Sequence, residues 1–283
     1  MAEQGAVTAP VTPRSDRGTD TSERYRRFWA DVGENFPDLQ GARSTAYYRR
    51  DEERLFTEFF PELSGLRIMK TDLWDEAKNT RILRWAASRG AAAFGIDISP
   101  PIVAQARRNF GELRLTAPVS DIRSLPFRDH SFDAIYSMGT IEHFDESKLA
   151  VREMLRVLKP GGRAIIGVPN RWDPFLRPLL VALLYRLGLY GYGFEKSYSR
   201  KALRRMLEEA GFRVEGDSGI LFIPGWLRML DLACHTWMRP MSRITGALAA
   251  VFAALAARFP RLHRHGYLIA AVGVRPGSVG SEQ

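Results

Sequence analysis

The chain has 283 residues, 45% of them hydrophobic and 26% charged, with a formal net charge of +9. That length supports one large domain with a real core, or one domain plus appendages, and the basic balance suits anionic surfaces or substrates. The single cysteine, Cys234, excludes an intramolecular disulfide and a cysteine-based zinc site. With no zinc-finger spacing and no RNA-binding module, a reducing compartment and no nucleic-acid partner are expected.

Residues 1–21 are rich in Gly, Thr, Pro and Ser and lack an apolar core segment, which reads as a disordered tail rather than a secretory signal. No run reaches the roughly 18 apolar residues of a membrane span. The longest apolar stretch is Ile244–Ala257. The expected location is cytoplasmic, or peripheral at the inner membrane face. Residues 22–64 read as helical, with Tyr25, Phe28 and Trp29 in one apolar cluster and Leu55, Phe56, Phe59 and Phe60 in another. Pro37 and Gly41 separate the two parts, which would form a lid over a sheet or pack on its open edge. Tyr47, Tyr48, Arg49 and Arg50 lie between the clusters, where they could face a ligand.

Leu66–Met69 is a short strand candidate, followed by the acid-rich stretch Lys70–Asn79. Thr80 caps a helix over Arg81–Arg89, which Gly90 ends. Ala91–Asp97 is an apolar run without helical period and reads as a buried strand. Ser99 is an N-cap and Pro100 a first helical residue. Asp97 therefore sits where a strand ends and a helix begins, the crevice in which open α/β sheets bind ligands. A carboxylate there can accept both hydroxyls of a ribose, or merely cap the helix. A third strand ends at Val119–Asp121, Phe132–Ser137 is a fourth, and Ser147–Leu158 has apolar residues at helical spacing. After the turn Pro160-Gly161-Gly162, Arg163–Val168 is a fifth strand. A helix from Ser199, a sixth strand near Arg213–Phe222 and a last strand at Tyr267–Val274 complete the alternation. Such alternation means a mostly parallel sheet with helices on both faces.

Several of these segments resemble the class I S-adenosylmethionine-dependent methyltransferases. They are Gly95-Ile96-Asp97-Ile98-Ser99, Leu125-Pro126-Phe127, Ser131–Ser137, Ile141-Glu142-His143, Leu155–Gly162 and Ser199–Phe212. The resemblance covers about Leu66 to Val214, with the last strand added. It implies a Rossmann-like seven-stranded sheet whose final strand runs antiparallel, spanning residues 65–275 with helical insertions at 170–198 and 223–265 and a flexible end at 276–283. It also implies S-adenosylmethionine as cofactor. Carried over, Asp97 binds the ribose hydroxyls and Ile98 lies against the adenine. Asp121 accepts from the adenine amino group beside Ile122, and Ser137 lines the methionine end. His143 faces the substrate.

One stretch departs from that family. Where it has an acidic residue and a glycine-rich loop, this chain has Lys70-Thr71-Asp72-Leu73-Trp74-Asp75-Glu76, with no glycine between Leu66 and Arg89. Either Asp72 or Glu76 meets the cofactor's ammonium group in a differently shaped loop, or the site binds another small molecule, or the pocket is kept for structure alone.

Methyl transfer from a sulfonium needs chiefly alignment, and a hydroxyl acceptor also needs a base. His143, with Glu142 beside it, is the candidate base, the alternative being a hydrogen-bonded surface imidazole. His263 and His265 flank Arg264 without an apparent third ligand, so no metal is expected. The insertions hold many leucines and the tryptophans Trp226 and Trp237, punctuated by Arg171, Arg177, Arg186, Arg228, Arg239, Arg243, Arg258, Arg261 and Arg264. Such helices suit a membrane surface or a hydrophobic small-molecule or lipid-like substrate, or they bury one another or form a homodimer interface. Three functions follow from the sequence. The first is methyl transfer to a hydrophobic acceptor, with a lean toward oxygen. The second is other chemistry on the same fold, such as cyclisation. The third is a non-catalytic membrane-associated binding protein.

Overall fold

The computed structural model describes residues 21–277. The expected tail at residues 1–20 and the last six residues of the expected flexible end lie outside that range. Two helices open the described chain, α1 (Thr21–Asn35) and α2 (Arg43–Phe59). Then follow β1 (Arg67–Lys70), α3 (Trp74–Lys78), α4 (Ile82–Ala87), β2 (Ala92–Gly95), α5 (Pro100–Phe110), β3 (Leu115–Thr116) and β4 (Phe132–Met138). A 3-10 turn, Ile141–His143, leads to α6 (Ser147–Val157), β5 (Leu158–Pro169), α7 (Arg177–Arg186), α8 (Arg200–Ala210), β6 (Arg213–Ile220), α9 (Gly225–Trp237) and α10 (Arg239–Arg258). A second 3-10 turn, Pro260–His265, precedes β7 (Leu268–Val274).

The strands form one seven-stranded sheet in the order β3-β2-β1-β4-β5-β7-β6. β1 pairs in parallel with both β2 and β4, and β7 runs antiparallel between β5 and β6, as the resemblance implies. The chain steps outward from β1 to β2 and β3, then returns to β4 on the other side. That reversal opens a crevice at the carboxyl ends of β1, β2 and β4, the usual ligand position in such sheets.

Local chemistry accounts for the elements that frame it. The β7 run Leu-Ile-Ala-Ala-Val-Gly-Val is buried along its whole length, as a central strand covered on both faces must be. The Ser199 side chain accepts the Ala202 N–H at the start of α8, and Gly211, at φ 106°, ends it in a left-handed conformation. Leu203, Met206 and Leu207 turn one face of α8 into the core. α2 is a core helix: Leu55 and Phe56 are fully buried, and Phe56 packs on Tyr136 of β4 at 5.0 Å.

Three expectations are corrected. The third strand pairs through Leu115–Thr116, and Val119 makes only an isolated bridge to Asp97, because the chain leaves the sheet before Asp121. The stretch after β1 is not all loop: Trp74–Lys78 forms α3, five residues long and too short to show a period in sequence. Finally, α10 is a 20-residue helix long and apolar enough, by length and composition, to cross a membrane, even though Arg243, Thr245 and Gly246 interrupt the apolar run. α10 packs against α9 and α2 through Thr245, Gly246, Ala249 and Ala256, and exposes Ile244, Leu248, Val251 and Leu255.

Candidate active site

A cavity of about 890 Å³ opens at the crevice. It takes in Asp72, Asp97, Ile98, Ser99 and Ile122 from the strand ends, Gly139 to Thr140 and His143 after β4, and Tyr25 and Trp29 from α1. Trp74, Arg177, Tyr190, Tyr192, Glu195, Arg228 and Leu232 complete its wall. Its size is that of a small-molecule site.

Asp97 is the anchor of the crevice. Its Oδ2 accepts the Leu73 N–H at 2.9 Å and its Oδ1 accepts the Ser99 N–H at 2.8 Å. Each oxygen keeps a second lone pair, so helix capping and ligand binding are compatible roles. Burial pushes the carboxyl up to about 7, against the two amides, which lower it. The neighbouring Ser99 hydroxyl is buried without a hydrogen-bond partner among the described residues.

The glycine-free stretch is an internally braced unit. Lys70, fully buried, donates to Asp72 Oδ1 and Asp75 Oδ2, both at 3.0 Å. Burial alone would lower the lysine, but Asp72 and Asp75 outweigh it and raise it, so it stays protonated. Asp72 Oδ1 also accepts the Trp74 N–H, and its Oδ2 accepts the Thr140 hydroxyl at 2.8 Å. Asp75 holds Asn79, which in turn accepts from Thr45 of α2. The close approach that loop glycines provide elsewhere comes here from the other strand: a Cβ on Gly95 would lie 2.5 Å from Leu73 Cδ2.

His143 lies against the edge of Trp29, with ring centroids 4.9 Å apart. Its Nδ1 is 3.0 Å from the Phe194 carbonyl oxygen, which can only accept, so Nδ1 carries the proton and the neutral ring keeps its lone pair on Nε2. Burial lowers the imidazole below its ordinary range. Glu142, 3.9 Å from Nε2, is pushed well above the carboxylate range, first by burial and then by Glu195.

Five of the expected site residues line the cavity: Asp72, Asp97, Ile98, Ile122 and His143. Three do not. Glu76 is buried and accepts the Leu83 and Arg84 N–H groups at 2.8 and 3.2 Å, so it caps α4 instead of meeting a ligand. Ser137 is fully buried and accepts the Thr71 hydroxyl, one position short of the wall that begins at Met138. Asp121 is held by the Arg123 guanidinium and by the Ser22 hydroxyl of α1, which together keep it below the carboxylate range despite partial burial; its neighbours Ser120 and Ile122 reach the cavity. Arg177, Glu195, Tyr190 and Arg228 are wall residues that sequence reasoning missed. In sequence the arginines have the setting of basic flanks on apolar helices, whereas both turn inward.

Sheet order, antiparallel last strand and crevice together define the class I methyltransferase fold. Residues 77–166 match the family described as "Methyltransferase domain", beginning just past the glycine-free stretch. Over that segment, less than a third of its length, the chain matches a methyltransferase domain. It is 46% identical over 77 residues to human "Probable tRNA methyltransferase 9B", covering 26% of this chain and 16% of that protein. It is 34% identical over 145 residues to the demethylmenaquinone methyltransferase of Tropheryma whipplei, covering 46% and 61%. The chain thus spans less than two thirds of the length of these curated relatives. Among solved structures, magnesium protoporphyrin IX methyltransferase from Synechocystis, with bound S-adenosylhomocysteine, superposes with a TM-score of 0.59 at 14% identity, covering 90% of this chain and all of that one. The [4+2]-cyclase SpnF superposes with a TM-score of 0.56 at 20% identity, covering 95% and 99%.

The residues present fit S-adenosylmethionine. Asp97 retains two acceptor lone pairs beside the unpartnered Ser99 hydroxyl, which suits a ribose diol. Ile98 and Ile122 offer apolar walls, and Asp72 offers a carboxylate at the cavity surface for a cationic group.

Proposed function

We propose that this chain binds S-adenosylmethionine at the crevice and moves its methyl group to a hydrophobic, lipid-like acceptor, at oxygen. The observation that carries this reading is the cavity itself, which joins Asp97, Asp72 and His143 to aromatic and aliphatic groups of α3, α9 and the segment after α7. The bound cofactor supplies a methyl group already activated on a sulfonium. Asp97 takes the ribose hydroxyls, Ile98 and Ile122 flank the adenine, and Asp72 faces the ammonium. His143, uncharged at neutral pH, takes the acceptor's proton at Nε2, and Trp29 fixes the ring. Holding the acceptor in line contributes the remaining acceleration.

Location is part of the same reading. Trp226, Leu230 and Trp237 of α9 and Leu179 and Leu183 of α7 are exposed, as is the apolar face of α10. Exposed Arg239, Arg243, Arg258, Arg261 and Arg264 accompany them. Apolar side chains with interfacial tryptophans and basic neighbours suit an anionic lipid surface at the cytoplasmic face.

Calorimetric titration with S-adenosylmethionine and S-adenosylhomocysteine tests the first part. Micromolar binding is expected, and transfer of labelled methyl into an apolar extract should follow. Absence of binding by the folded protein would overturn the methyltransferase reading in favour of other chemistry on this fold. Sedimentation with vesicles tests the second part: binding to anionic but not zwitterionic vesicles is expected. A stable dimer without vesicle binding would assign the apolar face to a second copy.

A further inference from the structure

The cavity wall holds two buried arginines whose circumstances differ. Arg177 is 2% exposed and ion-paired, although its Nε is buried without a hydrogen-bond partner among the described residues: it donates to Glu195 Oε2 at 2.9 Å and to the Tyr190 hydroxyl, which itself donates to Glu195 at 2.7 Å. Arg228, 8% exposed, makes no ion pair among the described residues, and its Nη1 is buried without a hydrogen-bond partner. Its guanidinium rests only on aromatic faces, 4.9 Å from the Tyr48 centroid and 5.8 Å from that of Tyr267.

Three acids of α9 and the cavity wall are engaged elsewhere. Asp231, one helical turn along α9, accepts from the Ser44 N–H and the Thr245 hydroxyl. Asp75 is held by Lys70 and Asn79, and Glu195 by Arg177 and Tyr190. Glu142 is pushed toward its neutral form. A buried guanidinium without a counter-charge costs more than two aromatic faces return. The planar fork of an arginine matches an oxyanion bidentately, and the two rings hold that plane in place.

We propose that Arg228 is the anchor for an oxyanion, a carboxylate or a phosphate, carried by the acceptor. This rests on the methyltransferase reading and refines it: the acceptor is an anionic amphiphile, with its charged group on Arg228 and its apolar body along Tyr192, Leu232 and Trp237. Arg228 is then a specificity-determining residue, remote from Asp97 and His143 in role.

The test is calorimetric titration of the S-adenosylhomocysteine-saturated protein with octanoate, octyl phosphate and octanol. Both or one of the anionic probes should bind about tenfold or more tightly than octanol, and which of the two binds better separates carboxylate from phosphate. Arg228→Met should erase that preference while leaving S-adenosylhomocysteine affinity unchanged, and Arg228→Lys should keep part of it. Equal binding of all three probes by the wild-type protein would overturn the proposal, whatever the variants do, and would leave the methyltransferase reading intact. Failure of S-adenosylhomocysteine to bind would instead overturn the methyltransferase reading. The same three probes, titrated without it, would then still decide the anion site.

Discussion

The two parts of the cavity wall are built on opposite principles. Along the strand ends four aspartates are already engaged: Asp97 by two backbone amides, Asp72 and Asp75 by Lys70, Asp121 by Arg123. Under α9 the Arg228 guanidinium is buried with no partner for its Nη1 among the described residues. A pre-braced wall is what a constant ligand needs, because its groups must not reorganise on binding. A wall with unpaired buried polar atoms awaits a ligand that completes it, and it discriminates strongly against ligands that cannot.

Four experiments can break or sharpen that contrast. The largest effect is expected from His143→Ala, which should lower turnover by about 10²–10⁴-fold while cofactor affinity holds, measured by labelled methyl transfer. At saturating cofactor the acid limb of the wild-type profile should fall below pH 6.5, because burial lowers the imidazole and the neutral ring is the base. Next, Lys70→Met should destabilise the fold by about 3–5 kcal/mol in denaturant titration, since Asp75 would be left as an uncompensated buried charge beside the half-buried Asp72. A silent change there would mean that the braced wall is not braced by charge. Third, Asp97→Ala should weaken cofactor binding by about 1–3 kcal/mol. In the wild type that affinity should rise between pH 6 and 8, as a carboxyl pushed up to about 7 loses its proton and becomes a full acceptor; Asp97→Asn should flatten the dependence. Smallest in its effect on the site, Glu76→Ala should cost about 1–2 kcal/mol of stability through the lost cap on α4, with cofactor affinity unchanged.

Sequence reasoning served the two parts unequally, for physical reasons. The strand ends were legible because turn chemistry and burial leave local marks: Gly90 before an apolar run and Ser99-Pro100 after it; Pro160-Gly161-Gly162, expected as a turn before the fifth strand, lies within β5. Such marks place Asp97 at the crevice, with ribose binding and helix capping both open, and the ribose role follows only from the family resemblance. Glu76 could not be placed, because three acids within five residues look alike in sequence, and only the fold turns Glu76 onto the amides of α4. The inward-facing arginines were hidden for a related reason. Arg177 and Arg228 sit in apolar helices beside outward-facing arginines of the same composition. α7 and α9 offer no clean periodicity to say which face is covered, since both faces carry leucines. Short pieces such as α3 and β3 fell below the length at which a period can be seen at all.

The lysine at the end of β1 carries a consequence for descent. Lys70, Asp72 and Asp75 balance one another inside the protein, so none of them can drift alone. An acidic side chain at position 70 would set three carboxylates together in a buried space, and a neutral one at 72 or 75 would strip the lysine of a counter-ion. Chains that share this lysine should therefore share both aspartates, and chains with an acid in its place should lack them. A stepwise exchange between the two arrangements would pass through a chain with an unbalanced buried charge.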